Sequence, residues 1–566
     1  MQLDVQASDE VMHIAQRYNG SLRQLIPNCE DLYFDTPKRR RRFVGGDDEE
    51  RKLAEIHFDT LSRPLVASMS GGEKVHIADV PKALPDGAFI VMGKRVVVVQ
   101  RLRAAHMMPL EPNGEMRTEH GVLAADAGTG KLLLNNEPVE VGHKVLGNMD
   151  AAQMQSLAQR LCRPKIMFSR DRSGSRRITS ADALLLKLLT AAIRIGTSIQ
   201  KKHVAKQWPT AKVTRIVENA LATGTWPGNF TGNSHQQNMC NELARKAQQR
   251  MIVAKLQRCS LDARKVHPSQ WGSICPVDTP EGSHVGITKH LAKGCSISDA
   301  EDPEPYADMA RTAPQGQGTV LINGIPQTQT VDTRAFVEHA RNMRDQTQSQ
   351  AGIELHADEA WVWTDAGRLL VLIHDGRRID AGEYEQIGDT NAPEIVPKHP
   401  LSIAASTIPF VTHNQGARAT FQCAQARQAI GAAMLDAPML PTTSRNLTYS
   451  QQPLVQCSDF TSGINVVLCI CTYKGFSMED AVIFNQDAID RGLFRSECLR
   501  TTINGNHGGQ LPSHDLEFDP LLTAEIAEKG AEKGLFVEGR DDDGHQRRTQ
   551  NSTPRSRVVR SAISIA

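Results

Sequence analysis

An apolar run near residue 470 constrains the fold of this chain more than any other feature. It reads INVVLCI over residues 464–470 and is bounded by Gly463 and Gly475. A short run rich in β-branched residues predicts a buried β-strand. The strand would deliver two adjacent carboxylates, Glu479 and Asp480, at its far end. Such a pair suits a divalent cation near phosphates, whereas an isolated Glu-Asp pair more often only solvates a surface loop.

The overall composition excludes some classes of function. A chain of 566 residues can form several domains with a large core. Its formal net charge of +1 argues against a free-standing protein that binds nucleic acid by bulk electrostatics. The aromatic content of 5% disfavours a stacking platform for single strands. Basic channels within a larger assembly stay possible.

The cysteines predict a reducing, intracellular environment. The 11 cysteines form no CxxC pair, and nothing in their spacing suggests a disulfide framework. Cys469 and Cys471 would share one face of the predicted strand, which favours buried thiols over a metal site. We expect no zinc in this chain. No signal peptide is recognisable, and no apolar run approaches the roughly 20 residues of a spanning helix, so we expect no membrane partner.

Local patterns predict three elements. Two apolar runs flank Gly93-Lys94 within residues 84–101 and predict a β-hairpin. Leucines at helical spacing after Ser180 predict a core helix. A further helix is predicted over Glu242–Gln257, and five cations lie on or next to it: Arg245, Lys246, Arg250, Lys255 and Arg258. Those cations form either a solvated face or a set of phosphate contacts.

Two charged or glycine-rich stretches have weaker interpretations. The basic run at residues 38–42 precedes an acidic run at 47–50. It is either a localisation or phosphate-contact patch or a solvated loop, with no preference between them. The stretch AGTGKL at 127–132 lacks the first glycine and the Ser or Thr of a P-loop, so we reject it as a nucleotide site.

Three longer blocks carry a family resemblance. They are HPSQWGSICPVDTPEG at 267–282, IPFVTHNQGARATFQ at 408–422 and YKGFSMEDAVIFNQDAIDRGLFRS at 473–496. Together they resemble the second-largest (β-type) subunit of multisubunit DNA-directed RNA polymerases, most closely its archaeal, eukaryotic and large-DNA-virus branch. Departures from the family pattern include Asp278 for Glu, Gly416-Ala417 for Ser-Pro, and Phe476 for Tyr.

The resemblance implies a mixed α+β, multidomain fold. It suggests a poorly assigned segment at 1–59, a protrusion-like region with a reduced lobe at 60–215 and a fork-like region at 216–295. An external-domain-like region would follow at 296–400. The start of the hybrid-binding and active-centre region would occupy 401–500, before a divergent tail at 501–566.

The resemblance also implies residue roles. Asp480, helped by Glu479, would steer the second, nucleotide-associated Mg²⁺, which is shared with the largest subunit. Arg418 would reach the incoming triphosphate, because a guanidinium pairs with phosphate oxygens and stays charged. Gln415, Arg427 and Gln428 would approach the nucleotide or RNA. A last group would face nucleic acid or be structural: Arg245, Arg250, Arg258, Asp278, Glu281, Arg491 and Arg495.

The resemblance covers roughly residues 60–500 and implies only part of a subunit. Expected partners are the largest subunit, a chain carrying the rest of the second subunit, small assembly subunits, DNA template, RNA and NTPs. The expected reaction is template-directed nucleotidyl transfer in the nucleus or cytoplasm, or in a virion if the source is viral. Two alternatives are a non-catalytic relic that serves as a DNA-binding or structural subunit, and an independent nucleotide-binding enzyme.

Overall fold

A computed structural model gives the architecture of much of the chain, and its helices and sheets confirm the mixed α+β class. Two compact units are present. Unit 1 comprises residues 1–99, 181–249 and 425–566, and unit 2 comprises 100–180 and 250–424. The structure describes residues 22, 25–26, 29–34, 60–70, 72–84, 87–110, 115–118, 121–125, 131–135, 137–139, 149–162, 166–203, 208–227, 234–237, 241–254, 264–388, 396–431, 444–455, 457, 460, 463–471, 482–501 and 556–561.

The described α-helices are distributed over the whole chain. They are α1 Ala151–Cys162, α2 Ala181–His203, α3 Thr210–Thr223, α4 Glu242–Gln249, α5 Glu304–Thr312, α6 Thr333–Thr347, α7 Ala381–Gly388, α8 Gly416–Gln428 and α9 Gln486–Asp490.

The described strands are mostly short. They are β1 Cys29–Phe34, β2 Ser62–Met69, β3 Lys74–Pro81, β4 Phe89–Val91, β5 Lys94–Val98, β6 Gln100–Ala104, β7 Pro109–Leu110, β8 Glu115–Thr118, β9 Gly121–Ala125, β10 Leu132–Leu134, β11 Glu137–Pro138, β12 Arg176–Thr179, β13 Ser234–Gln236, β14 Met251–Val253, β15 Thr288–His290, β16 Ser296–Ile297, β17 Gln315–Ile322, β18 Ile325–Val331, β19 Gly352–His356, β20 Glu359–Trp363, β21 Leu369–Leu372, β22 Arg378–Asp380, β23 Ser444–Leu447, β24 Ser496–Thr501 and β25 Ser556–Ser561.

Unit 1 is built from three-stranded sheets and a helical layer. Its sheets have the orders β1-β2-β3, β13-β5-β4 and β23-β24-β25. Its main core joins apolar residues of α2 and α3 to β2 and β3, with Leu188 and Val217 among the buried members. Thr214 of α3 accepts a hydrogen bond from the amide of Asp79 at 2.8 Å, which fixes the helix against β3.

The described residues of unit 2 form four sheets. Their orders are β11-β10-β9-β8-β7, β12-β6-β14-β15, β16-β21-β22 and β18-β17-β20-β19. The pairs β6–β14 and β17–β20 are parallel, and each of the other described pairs is antiparallel. The stacked rings of Trp361 and Trp363, both buried, lie in one of its cores. The second of these sheets and its neighbours position the candidate site.

Two local predictions are confirmed. β4 and β5 form the expected hairpin, with Val91 opposite Lys94. Its turn residues Met92 and Gly93 both have positive φ, at 50° and 71°, as a tight hairpin turn requires. The core helix after Ser180 is α2, and Leu184, Leu185, Leu188 and Leu189 on it are buried.

The helix predicted over Glu242–Gln257 is wrong in its second half. α4 ends at Gln249, and the chain then forms β14 between β6 and β15. Ile252 of β14 is opposite Lys289 of β15 and Gln100 of β6. Tertiary pairing of the β-branched residues Ile252 and Val253 therefore overrides helical periodicity here.

The buried strand predicted at residues 464–470 is also wrong. The described backbone there belongs to no sheet. Leu468 and Ile470 are 75% and 91% exposed. Cys469 and Cys471 are exposed as well, so the expectation of buried thiols at this position is wrong. Cys275 and Cys295 are buried, and burial raises the pKa of the Cys295 thiol to about 12.

One described helix is long and apolar enough to cross a membrane, by length and composition alone. An 18-residue window over Ala183–Gln200 of α2 has a mean hydropathy of 1.3. The expectation that no apolar run approaches spanning length was therefore too strict. The same helix supplies buried leucines to the core of unit 1, and core helices of water-soluble proteins often pass this test.

A buried ionic network lies in unit 2. Arg172 donates to Glu354 at 2.9 Å and also bonds Glu385. Arg177 bonds both carboxylate oxygens of Asp365, at 2.7 and 3.1 Å. Two arginines that precede or begin β12 are thus engaged in ion pairs inside the protein.

Candidate functional site

Two of the recognised blocks pack against each other in unit 2. We call residues 267–294 and 398–420 the loop platform. Backbone hydrogen bonds join its halves, from the amide of Lys293 to the carbonyl of Leu401 at 2.7 Å and from Gly294 to His399 at 3.1 Å. Blocks separated by more than 100 residues in the sequence therefore form one surface.

Asp278 is the buried anchor of the loop platform. Ser402, itself buried, donates its hydroxyl to Asp278 Oδ2 at 2.6 Å and accepts the amide of Ala405 at 3.0 Å. His290 Nε2 lies 3.7 Å from the other carboxylate oxygen. A carboxylate that is fully excluded from solvent holds the two blocks together and cannot reach a bound substrate.

Helix α8 is fixed to the loop platform through its first turns. Thr420 donates its hydroxyl to the carbonyl of Val277 at 2.7 Å. Ala419 and Cys423, one helical turn apart, are buried. Since this face points inward, Arg418 and Gln415 are left exposed at the start of the helix. Among the residues that the structure describes, Arg418 has no ion pair.

The TPEG loop of the platform is held by the side-chain hydroxyl of Thr279. Thr279 donates to the carbonyl of Thr288 at 2.9 Å and accepts the amide of Gly286 at 2.8 Å. Gly286 has φ +71°, and a Cβ there would lie 2.1 Å from the carbonyl oxygen of Arg264. Glu281 is exposed at the tip of this loop. Of the two acids in this block, only Glu281 can meet a partner in solvent.

Phe410 is a member of the site that sequence reasoning missed. Its φ is 49°, which is unusual for an aromatic residue, and its side chain is 72% exposed. The ring contacts His413 edge to face, with 6.1 Å between ring centroids. Strained backbone often marks functional surfaces, but no sequence pattern reports a positive φ at a non-glycine residue.

The C-terminal end of α8 is tied to the start of α4. The amide of buried Asn241 donates to the carbonyls of Ala426 and Ala429 at 2.6 and 3.0 Å, and its Oδ1 accepts the amide of Leu243. Arg427 is half-buried beside this junction, and Gln428 is exposed. The signal for Asn241 was its helix N-cap position, which sequence analysis did not use.

The predicted cations after Asn241 have different environments. Arg245 is half-buried in unit 1, 3.8 Å from Glu242 on the same helix. In unit 2, Arg250 donates to the carbonyls of Ala292 and Cys295 at 2.5 and 2.7 Å, and burial lowers its pKa. These bonds orient the Arg250 guanidinium toward the protein interior.

The IDRGLF segment of unit 1 forms a short helix and turn. Asn485 caps α9 by accepting the amide of Ala488, and Arg491 Nε donates to the carbonyl of Asp487 at 2.9 Å. Gly492 has φ +104°, and the ring of Tyr449 packs against it. The side chains of Arg491 and Arg495 are exposed.

Several predicted residues lie outside the described part of the chain. They are Glu479, Asp480 and Arg258. The basic run at 38–42 and residues 502–555 of the predicted tail also lie outside it. Within the described ranges, no group of three or more His, Cys, Asp or Glu side chains is arranged to hold a metal ion. The magnesium prediction and the convergence of Asp480 with Arg418 therefore stay predictions.

Comparison with known proteins identifies the family of these blocks. Residues 234–297 match the family model "RNA polymerase Rpb2, domain 3", and residues 404–534 match "RNA polymerase Rpb2, domain 6". The two matches cover both halves of the loop platform except for its segment at 398–403. The chain is a partial relative of the second-largest RNA polymerase subunit.

Relatives that match this chain come from archaea and eukaryotes. The Rpo2 subunit of Sulfolobus acidocaldarius is 27% identical, over 59% of this chain and 36% of that protein. RNA polymerase II subunit RPB2 of Encephalitozoon cuniculi is 25% identical, over 59% and 38%. RNA polymerase III subunit RPC2 of Saccharomyces cerevisiae is 23% identical, over 60% and 37%. The chain thus spans little more than a third of the length of these curated relatives.

Proposed function

We propose that this chain is a working part of a DNA-directed RNA polymerase second subunit. It would contribute to template-directed RNA synthesis from NTPs inside a multisubunit complex in the cell. The observation that carries the proposal is the contact between the two matched blocks on one platform, where Thr420 donates to the carbonyl of Val277 beside buried Asp278. An unrelated nucleotide-binding enzyme would have no reason to retain both blocks in contact.

Arg418 is the residue that we propose to meet the nucleotide. Its exposed position, with no ion pair among the described residues, leaves the guanidinium able to form a fork of hydrogen bonds with phosphate oxygens. The first amides of a helix have no intrahelical acceptor, so the start of α8 adds a favourable environment for an anion. Gln415 lies one helical turn before Ala419 at the same end.

The metal assignment rests on the family resemblance. Mg²⁺ in such enzymes lowers the energy of charge that develops on the transferring phosphate. We propose that Asp480, with Glu479, holds the ion that accompanies the nucleotide, while the largest subunit holds the other. The domain names protrusion, fork and external, and the boundaries proposed from the sequence, belong to the same proposal.

The proposed partners are the largest subunit, a chain carrying the rest of the second subunit, small assembly subunits, DNA and RNA. Purification through a tag on this chain from its native source tests the proposal directly. We expect the largest subunit to co-purify and the complex to extend RNA on a template. Recovery of the chain without any polymerase subunit would contradict the proposal.

Substitution of Arg418 tests its role within that complex. Arg418→Ala should raise the KM for NTPs and lower the elongation rate by roughly 10²-fold, the usual effect of removing a preorganised charge-stabilising donor. Arg418→Lys should recover part of the loss. The matched control is Arg334→Ala, because Arg334 is also exposed in the first turn of a helix and has no described ion pair. Equal effects of Arg418→Ala and Arg334→Ala would contradict the assignment.

Asp480→Ala tests the metal assignment separately. Elongation should fall while the co-purifying subunits stay the same. Unchanged elongation would reject the metal role of Asp480.

A non-catalytic relic is the second candidate. The coverage of only 36–38% of the relatives favours it. A relic would occur as a free protein or on DNA, and it would show no elongation in any complex that it joins.

A further inference from the structure

Phe410 combines two features that folding alone disfavours. Its backbone is left-handed, with φ 49° and ψ 46°, a conformation in which the Cβ of an L-residue crowds the carbonyl oxygen. The residue is 72% exposed, so the ring forgoes the stabilisation that burial of an aromatic side chain provides. Glycine would avoid both costs at this position. Strain and exposure at the same residue indicate a role other than stabilising the fold.

The backbone of Phe410 is fixed by the turn that follows it. Val411–His413 form a 3₁₀ turn just before α8. The carbonyl of Phe410 accepts the amide of His413 at 2.9 Å and the side-chain amide of Asn414 at 3.2 Å. Two hydrogen bonds therefore hold the backbone that carries the exposed ring.

His413 orients the ring of Phe410. The two ring centroids are 6.1 Å apart, and the ring planes meet at 79°. An edge-to-face pair at this separation is favourable. One such contact covers at most one face of the phenyl ring, so a face of Phe410 stays available for a ligand, in agreement with its exposure.

The surroundings of Phe410 favour an anionic ligand. Residues 395–435 include no Asp or Glu, whereas three Lys or Arg residues lie among them. Arg418 is exposed in the first turn of α8, directly after the 3₁₀ turn. A Cβ added at Gly416 would meet no atom within 4 Å, so the space beside the start of α8 is open. A flat apolar group that is joined to phosphates suits both the ring and the guanidinium.

We propose that Phe410 stacks on a nucleobase bound at the loop platform. This inference rests on the proposed function, to which it adds a residue that contacts the base. Stacking of a base on an aromatic ring tolerates every base, so Phe410 supplies affinity without sequence selectivity. An apolar pocket of a protein partner would make no use of the cationic surroundings. The base belongs either to the incoming NTP or to the RNA or template strand.

Substitutions of Phe410 in the complex purified from the native source test the stacking. Phe410→Gly removes the ring and leaves the left-handed backbone unstrained. It should raise the KM for NTPs or shorten the lifetime of the elongation complex by roughly tenfold, the usual effect of losing one stacked base. Phe410→Tyr should retain both values. Phe410→Leu keeps an apolar side chain without an aromatic face, and it should behave like Phe410→Gly.

Photocrosslinking identifies the source of the base. A photoreactive iodinated uracil is placed in turn in UTP, at the growing end of the RNA and in the template strand. Peptide mass spectrometry then locates the crosslinks, and one of the three labels should react with the peptide that carries Phe410. A crosslink from UTP together with a raised KM assigns the incoming nucleotide. A crosslink from RNA or template together with a shortened lifetime assigns that strand.

Thermal unfolding of the isolated chain gives a control that does not depend on polymerase activity. Ala357 is also exposed and has a positive φ of 52°. Phe410→Gly and Ala357→Gly should both maintain or raise the unfolding midpoint, because glycine adopts this backbone without strain. Of these two variants, only Phe410→Gly should impair RNA synthesis.

Four results would overturn the stacking proposal while the proposed function stands. Phe410→Leu could behave like wild type, which would show that any apolar contact suffices. An active complex could give no crosslink to the Phe410 peptide. Phe410→Gly could lower the unfolding midpoint, or it could release a subunit from the complex, and the ring would then serve folding or assembly. If no polymerase subunit co-purifies with the wild-type chain, both the stacking proposal and the proposed function fail.

Discussion

The buried pair of Arg172 and Glu354 provides the sharpest stability test. Glu354 is fully buried, and it accepts from Arg172 at 2.9 Å and contacts His356 Nε2 at 2.8 Å. Burial by itself would raise the pKa of Glu354, but the charge of Arg172 outweighs it and lowers the pKa from 4.5 to about 2. Glu354→Gln keeps the shape of the side chain and removes this charge.

The expected loss follows from the pKa difference. The drop in the pKa of Glu354 from 4.5 to about 2, at about 1.4 kcal/mol per pKa unit, corresponds to roughly 3–4 kcal/mol of unfolding free energy at neutral pH. Breaking a buried ion pair on one side usually costs a similar roughly 3–5 kcal/mol. Because the folded-state pKa is depressed, this stabilisation is complete above pH 4.5 and is lost as the pH falls toward 2.

Urea unfolding of wild type and Glu354→Gln at pH 7, 4.5 and 3 measures this difference. Hydrogen exchange of peptides from β19 and β20 reports the local unfolding of unit 2. Burial raises the pKa of Glu383, which gives the opposite pH trend, but the difference between the two proteins removes this shared contribution. Glu304→Gln, in the exposed pair with Arg311, is the control and should change nothing measurable.

Two results would refute this reasoning. One is equal stability of wild type and Glu354→Gln at pH 7. The other is a difference between them that does not shrink as the pH falls from 4.5 to 3.

The loop platform supports two further predictions. Ser402→Ala should lower the unfolding free energy by roughly 1–3 kcal/mol, because buried Asp278 loses a hydrogen-bond donor. Ser406→Ala is the control and should have a smaller effect, since the Ser406 hydroxyl bonds only a nearby carbonyl. Thermal unfolding compares the two variants, and equal losses would contradict the anchor role of Asp278. Gly286→Ala should destabilise the protein more than Gly282→Ala, because only at Gly286 would the added Cβ clash with backbone. Both glycines have positive φ, so the strain from φ is shared. Equal destabilisation of the two variants in urea unfolding would refute the steric argument.

Much of the local structure was predictable because its causes are local. The β4–β5 hairpin and the leucine-rich helix α2 follow from residue types at short spacing, although the turn is Met92-Gly93, one residue before the predicted Gly93-Lys94. The failure at Met251–Val253 has a non-local cause, since strands from elsewhere in unit 2 pair on both sides of it. The platform blocks could be recognised, but the bond of Asp278 to Ser402 spans 124 residues and has no local signature.

The sequence by itself determined the family, the mixed α+β class and the identity of the blocks, because long motifs and short-range periodicity are written in consecutive residues. Only the tertiary structure decided which of their polar groups are buried anchors and which are exposed, as Asp278 and Arg418 show. It also decided that the apolar side chains of residues 466–470 are exposed and not buried. Burial depends on what packs against a segment from far along the chain, and consecutive residues do not record it.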